Sequence, residues 1–442
     1  MADKLHPIND VNKLFYYFFS EKESCSIVMN ISLSAPVKPA VLKKALNFSL
    51  LRYPNFRQMP VIDKEGHLFT MDNDKEADVY PYDPDAAELG SSETKGFLFR
   101  VMHMGKKIWI SVFHGVCDGK GLYMFARTLI YNYFILQGRR LSNEGGQILT
   151  LDVKEDPSEM ADPFKHYPEI NSSAKPVFNR RKDHKVFYLP EEPLGVDKCG
   201  FHRMFQFVLD KEKLLGLAHE AWTTLDAYFN LLVAKSIRES YNTDDRVIME
   251  LGAVDLRPFY KSRYLQNMRE LYWVPFTAPL LDAPENYAGF LTRRLLMGAQ
   301  LQKRHYDGIL FESKLSLRES MNFPFADTES LEALRHSIWD NPEFHSGISF
   351  FTTNVGLLEL PKELKAFVTH IDIYAPCLFP FPSFFVMSHG KETTVNMVQR
   401  HFDKGFALKL LGKFKEMGVL IRYEDKGRFE SDRLNVRGLK KV

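Results

Sequence analysis

A chain of 442 residues is long enough for two ordinary domains or one large two-lobed unit. Its 45% hydrophobic and 13% aromatic content, with 36 phenylalanines, suits a globular protein with a large core, and a formal net charge of +2 supplies no field for nucleic acid or an anionic membrane. Cys25, Cys117, Cys199 and Cys377 are scattered without a C-x-x-C pair, which argues against zinc and dithiol redox chemistry.

Near the start, the apolar run Leu14–Phe19 is too short for a signal peptide and is followed by Ser20-Glu21-Lys22-Glu23. No uncharged apolar run is long enough to span a bilayer, so a soluble, reducing, cytoplasmic setting is expected. Ser26–Leu33 reads as a first strand. Pro39 then opens a helix in which Leu42, Ala45, Leu46, Ser49 and Leu50 share a face. The helix stops before Arg52-Tyr53-Pro54, because a residue preceding proline avoids helical angles. A second strand is expected at Phe97–Val101. Ile108, Ile110 and Val112 then alternate with Trp109, Ser111 and Phe113, the pattern of a third strand. His114 continues the first of those faces, where the apolar pattern stops. Asp118-Gly119 turns the chain, and Leu122, Phe125, Leu129, Ile130 and Tyr133 repeat at helical spacing until Gly138.

From Leu151 to about Lys185 periodicity dissolves among acidic residues, prolines and the basic run Arg180-Arg181-Lys182. This stretch reads as a crossover between an N-terminal lobe, residues 1–175, and a C-terminal lobe, residues 176–442. In the second lobe His202–Leu209 reads as a strand, and Asp210 caps a helix carrying Leu214, Leu217 and Ala218. Thr223-Thr224-Leu225-Asp226 has capping-box spacing ahead of Tyr228, Leu231, Leu232 and Ala234. Arg246–Val254 is a clear strand running into Asp255-Leu256-Arg257-Pro258, and Pro284 starts a helix through Leu301. Gly347–Phe351, Phe384–Met387 and Thr394–Arg400 are strand-like. Phe379, Phe381, Phe384, Phe385 and Met387 read as core, with the lining of an apolar tunnel as the other reading. Strands mix with helices in both halves without strict βαβ alternation or a repeat, which predicts an α+β class.

The strand end, His114, and Asp118-Gly119 four residues later resemble the H-x-x-x-D-G motif of the acyl-CoA-dependent acyltransferase superfamily. That superfamily holds chloramphenicol acetyltransferases, alcohol acetyltransferases, plant BAHD acyltransferases and the condensation domains of non-ribosomal peptide synthetases. The succession of the first strand, its Leu42–Leu46 helix, Arg52-Tyr53-Pro54, Phe56-Arg57 and the Phe97–Val101 strand is similar to the opening of condensation domains and alcohol acetyltransferases. The resemblance implies two chloramphenicol-acetyltransferase-like lobes with an active-site tunnel between them. It implies an O- or N-acyltransferase that moves an acyl group from a thioester, with acyl-CoA as co-substrate and no permanently bound cofactor, to a hydroxyl or amine.

His114 is the residue suited to the reaction. A neutral imidazole accepts a proton near neutral pH, and a hydroxyl attacking a thioester needs that help. A thioester is reactive enough to need no covalent enzyme intermediate, and no G-x-S-x-G elbow is present. Asp118 admits two readings: the third member of a relay behind His114, or, as the resemblance implies, a structural carboxylate turned away and paired to an Arg of the other lobe. Val254-Asp255-Leu256-Arg257-Pro258 resembles the V-D-x-R strand end of BAHD enzymes that supplies this Arg. The expected pair is therefore Asp118 with Arg257, Gly119 completing the turn. The resemblance assigns Cys117 to packing.

Phe350-Phe351-Thr352-Thr353-Asn354-Val355-Gly356 resembles the S/T-N-x-G strand end that lies across the tunnel of alcohol acetyltransferases. It makes Thr353 and Asn354 candidates for an oxyanion or tunnel role, a hairpin turn built on Asn and Gly being the alternative. Two departures are evident: position 113 is Phe where condensation domains carry a second His, and the D-F-G-W-G box of plant BAHD enzymes is missing. No H-x-x-x-H or H-E-x-x-H pair, P-loop or G-x-G-x-x-G occurs, so no metal or nucleotide cofactor is expected. Two rival functions share these features. One is a stand-alone condensation-type enzyme that takes its acyl or peptidyl group from a carrier protein. The other is a catalytically degenerate relative that binds a ligand or partner. The Arg180-Arg181-Lys182 run reads as solvated linker, or as a contact for a phosphate of a CoA-like donor.

Overall fold

Strand Ser26–Leu33 is buried on both faces, Ile27, Met29, Ile31 and Leu33 on one and Ser26, Val28 and Asn30 on the other, with Ser32 alone partly exposed. Such a strand belongs in the middle of a covered sheet. In the computed structural model it is flanked by Lys107–Phe113 and Val368–Tyr374, both antiparallel to it; Phe99–Met104 and Val79–Pro81 complete five strands. The structure describes residues 5–19, 25–143, 146, 148–161, 184–189, 202–305, 320–339, 347–377, 381–400, 403–435 and 439–442. The expected lobe boundary at 175/176, the Arg180-Arg181-Lys182 run, Cys199 and Phe379 lie outside these residues.

A second, seven-stranded sheet runs in the order Arg269–Phe276, Ile248–Asp255, Phe350–Leu358, Ser383–His389, Glu392–Gln399, His202–Asp210, Leu420–Phe429. Phe350–Leu358 is parallel to both of its neighbours, so the Asn354–Gly356 segment is a bulge within a central strand and not the hairpin turn. Gly356 takes the left-handed backbone there, at φ +85°. The helices form as their patterns dictate. Pro39–Leu50 buries Leu42, Ala45, Leu46, Ser49 and Leu50, the five residues of its predicted face. Asp210 and Thr224 cap Lys211–Glu220 and Leu225–Ser240 by accepting from the Lys213 and Ala227 amides. Helix Gly119–Ile135 packs on Pro39–Leu50 and on the first strand. Both faces of Ile108–Phe113 are buried, so the alternation there separates two packed layers and not core from solvent.

The two sheets are tied at their junction by a buried polar chain. Asp372, 1% exposed, accepts from Asn30 at 3.1 Å and from Asn396 at 3.0 Å, and His370 sits between Asp372 (3.3 Å) and Glu392 (3.0 Å). C-terminal segments also cross into the N-terminal half. Val368–Tyr374 edges the first sheet, Arg433–Leu434 pairs with Glu88–Leu89, and Lys440–Lys441 pairs with Val61–Ile62. Before the crossover, Arg52 forms a buried bidentate pair with Glu159 at 2.6 and 2.8 Å. Among the described residues no helix is long and apolar enough to cross a membrane.

Candidate active site

The motif strand delivers His114 to a turn. Its amide donates to the Cys25 carbonyl at 2.8 Å, and the Val116 amide closes the turn on the Phe113 carbonyl. On one side the imidazole stacks on Phe15, centroids 4.2 Å apart and planes 16° apart. Phe15 belongs to a helix, Asp10–Phe18, capped by Asn9 and built from the apolar run that the sequence marks only as too short for a signal peptide. His114 is half-buried, and Nδ1 is sealed from water without a hydrogen-bond partner among the described residues. Burial first, and the charge of Arg269 second, push its pKa down to about 3; Asp118 and backbone groups of the turn oppose this only in part. The resting imidazole is therefore neutral across the cellular pH range.

Asp118 faces away from that ring. It caps helix Gly119–Ile135 by accepting from the Gly121 amide at 2.8 Å, accepts from the Met268 amide at 2.9 Å, and takes two Arg257 N–H groups at 2.9 and 3.0 Å. Arg257 spends its remaining donors on the Tyr264 carbonyl (2.7 Å), Asp255 (2.9 Å) and the Gln266 carbonyl (2.5 Å). Burial alone would raise the Asp118 pKa, but the charge and hydrogen bonds of Arg257, with the two amides, hold it below the ordinary carboxylate value. No hydrogen bond joins this carboxylate to His114, so the geometry is that of a clamp and not of a relay. Gly121 is where helix and clamp meet: a Cβ there would lie 2.3 Å from the Leu265 carbonyl oxygen. Gly119 is less confined, a Cβ there lying 3.3 Å from Ile373 and 3.4 Å from Val355. Cys117 is fully buried, and burial raises its thiol pKa, as suits a packing residue.

Val355 brings the third predicted segment against the motif turn. Thr353 is half-buried and its hydroxyl makes no hydrogen bond to the described residues. Asn354 is already engaged, donating to Asp226 at 3.2 Å and accepting from the Gly356 amide at 2.9 Å. Behind it Thr352 and Asn230 both donate to Glu250, at 2.6 and 2.8 Å. Glu250 is fully buried, and burial, helped by Asp226, pushes its pKa up to about 8.

Several residues around His114 carry no motif. Asn267, fully buried, donates to the His114 carbonyl at 2.7 Å and to Asn12 at 2.9 Å, tying the motif turn to the Phe15 helix. Asn12 in turn bonds to Gln266. Arg269, in the strand facing Ile248–Asp255, holds its guanidinium carbon 5.5 Å from the Phe15 ring centre. Only the Leu14–Phe19 run gave any sequence signal for this group; Asn267 and Arg269 are reached by tertiary folding alone. Phe381, Phe384, Phe385 and Met387 are all buried, as core.

No family model and no curated protein sequence matches the chain. Solved structures do. TRI3 trichothecene 15-O-acetyltransferase from Fusarium sporotrichioides is 12% identical with a TM-score of 0.56, over 93% of this chain and 94% of that one. F. graminearum TRI101 complexed with ethyl coenzyme A is 13% identical with a TM-score of 0.59, over 96% and 100%. The starter condensation domain of rhizomide synthetase RzmA, in complex with C8-CoA and Leu-SNAC, is 13% identical with a TM-score of 0.57, over 93% of each chain. The H-x-x-x-D-G stretch and both mixed sheets thus lie in a chain with the two-lobed, chloramphenicol-acetyltransferase-like α+β fold of acyl-CoA-dependent acyltransferases and condensation domains.

Proposed function

We propose that this protein is an acyltransferase that moves an acyl group from acyl-CoA to a hydroxyl or amine acceptor, with His114 as general base. One observation carries the reading: a neutral imidazole stands at the end of the motif strand, while the neighbouring carboxylate is consumed in the Asp118–Arg257 clamp. In this scheme the acceptor hydroxyl gives its proton to His114 as its oxygen attacks the thioester carbon. The tetrahedral intermediate then collapses, expelling the CoA thiolate, which is protonated from the imidazolium. Thr353 supplies a free hydroxyl for the oxyanion, with the second N–H of Asn354 beside it. Structures of the same fold hold CoA or an acyl-CoA, which supports the donor class. The three cysteines among the described residues are buried and form no disulfide, which accords with a reducing, cytoplasmic setting. A carrier-protein thioester would present the same reactive arm, and the condensation domain among the similar structures makes it the alternative donor.

A second reading, a degenerate relative that binds without turning over, is favoured by the Phe15 ring that covers one face of the imidazole. Free-thiol release from a panel of acyl-CoAs and acyl-carrier thioesters, with alcohols and amines as acceptors, separates these readings. The expected result is turnover with acyl-CoA that His114→Ala lowers on the order of 10²–10⁴-fold. A variant that keeps more than a tenth of wild-type turnover removes His114 as the base.

A further inference from the structure

Arg269 and the candidate base His114 share the Phe15 ring, and the charge of Arg269 reaches the imidazole, where a cation opposes the chemistry. A positive charge near an imidazole disfavours the imidazolium that general-base catalysis must form. Among the described residues no carboxylate neutralises this charge. The carboxylate directly across the ladder is Asp255, whose Oδ1 already takes the Arg257 amide at 3.1 Å and its guanidinium at 2.9 Å. Asp118, the other acid near the turn, is saturated by four N–H groups. Arg269 itself makes no hydrogen bond or ion pair with any described residue; its one contact of note is the Phe15 ring that stacks on His114. It is half-buried and anchored by its neighbour Met268, whose amide is fixed on Asp118. The charged groups that act on His114 are thus Arg269 and, from a carboxylate turned away toward Arg257, Asp118, with the uncharged thiols Cys25 and Cys117 at the turn.

A planar guanidinium with all its donors open, held at a reaction centre, is a fork for a carboxylate. We infer that Arg269 receives a carboxylate carried by one of the two substrates, on the acyl group or on the acceptor, and so selects anionic substrates for the reaction at His114. The phosphates of CoA are not the partner, because a thioester at His114 leaves them at the far end of the pantetheine arm. Seating the carboxylate also cancels the charge that weakens the base, so the imidazole regains basicity only when the correct substrate is in place.

This proposal rests on the acyltransferase reading, and its test keeps the two apart. Thiol release is measured for two matched pairs: succinyl-CoA against butyryl-CoA with one neutral alcohol, and a hydroxy acid against its amide with acetyl-CoA. The wild type should prefer the carboxylate member of one pair, which identifies the substrate that carries it. Arg269→Met should reduce that preference by about 10- to 100-fold, the worth of one charge-assisted bond pair, and Arg269→Lys should restore part of it. Independently, the ¹³C-labelled His114 ring is titrated in the full-length resting protein. Arg269→Met should raise its pKa, and free succinate should raise it in the wild type but not in the variant. Carboxylate preferences unchanged by Arg269→Met in both pairs, together with an unmoved titration, overturn the proposal. A titration that responds while no thioester turns over overturns the acyltransferase reading and leaves the anion site standing.

Discussion

Asp118→Asn tests the clamp most directly. Oδ1 of the carboxylate faces Arg257 Nη2 and the Gly121 amide, and Oδ2 faces Arg257 Nη1 and the Met268 amide. An asparagine supplies one acceptor oxygen, so whichever way the amide turns, two buried N–H donors meet an NH2 group. A stranded buried donor costs about 1–3 kcal/mol, and breaking a buried ion pair from one side about 3–5 kcal/mol. Because Arg257 retains Asp255 and two carbonyls, the expected loss is about 3–5 kcal/mol rather than the sum of the separate effects. Urea denaturation of the wild type, Asp118→Asn, Arg257→Gln and the double variant measures it, and the double variant should lose less than the two singles combined. The folded-state pKa of Asp118 is depressed, so the clamp's contribution is fully present above the unfolded value of 3.8 and fades as pH falls below it. Thiol release should drop along with stability, since Asp118 fixes the Met268 amide next to Asn267, whose side chain holds the His114 carbonyl. An Asp118→Asn protein as stable as the wild type yet inactive would refute this and return the carboxylate to a relay.

Phe15→Leu should let water reach the imidazole and raise the His114 pKa from about 3 toward 6.5, read from its ring resonances; an unmoved pKa would assign the depression to Arg269 alone. Glu250→Gln should leave stability unchanged below pH 4.5. At higher pH the variant should become the more stable protein, by about 1.4 kcal/mol for each pH unit, up to the folded pKa of about 8. The sign follows because the buried acid keeps its proton when folded and must give it up as pH rises, whereas Gln has none to lose. Charge reversal of Arg180, Arg181 and Lys182 should raise KM for acyl-CoA more than for a pantetheine thioester lacking the nucleotide; equal effects would remove this run from the donor site.

What the sequence made legible was local. The first strand, the Pro39 helix, the Asp210 and Thr224 caps and the Ile248–Asp255 strand carry their causes within a few residues, as periodicity, a cap or a proline. Arg257 was reachable because Asp255-Leu256-Arg257 sits in a recognisable strand end. Strands Arg269–Phe276, Val368–Tyr374 and Leu420–Phe429 were not legible: charged residues interrupt their alternation, and pairing with distant partners holds them extended. The same holds at the site. His114 announces itself, but Asn267, Arg269 and the Asp226–Asn354 contact arise where segments more than a hundred residues apart meet. The Phe15 helix was hidden for another reason: its aromatic run, too short for a signal peptide, carries no further pattern until its partners are known.

The last strands have a consequence for how the chain is made. A ribosome releases the N-terminal half first, and domains commonly fold as they emerge. Here that half cannot finish on its own. Ser26–Leu33 waits for Val368–Tyr374 to cover its edge, Glu88–Leu89 for Arg433–Leu434, and Val61–Ile62 for Lys440–Lys441. Until residues 368–374 have emerged the nascent sheet keeps an open edge strand, the kind of surface that recruits foreign strands. A ribosome-stalled N-terminal fragment should therefore bind chaperone and resist refolding, and become soluble when the segment from residue 368 onward is supplied in trans.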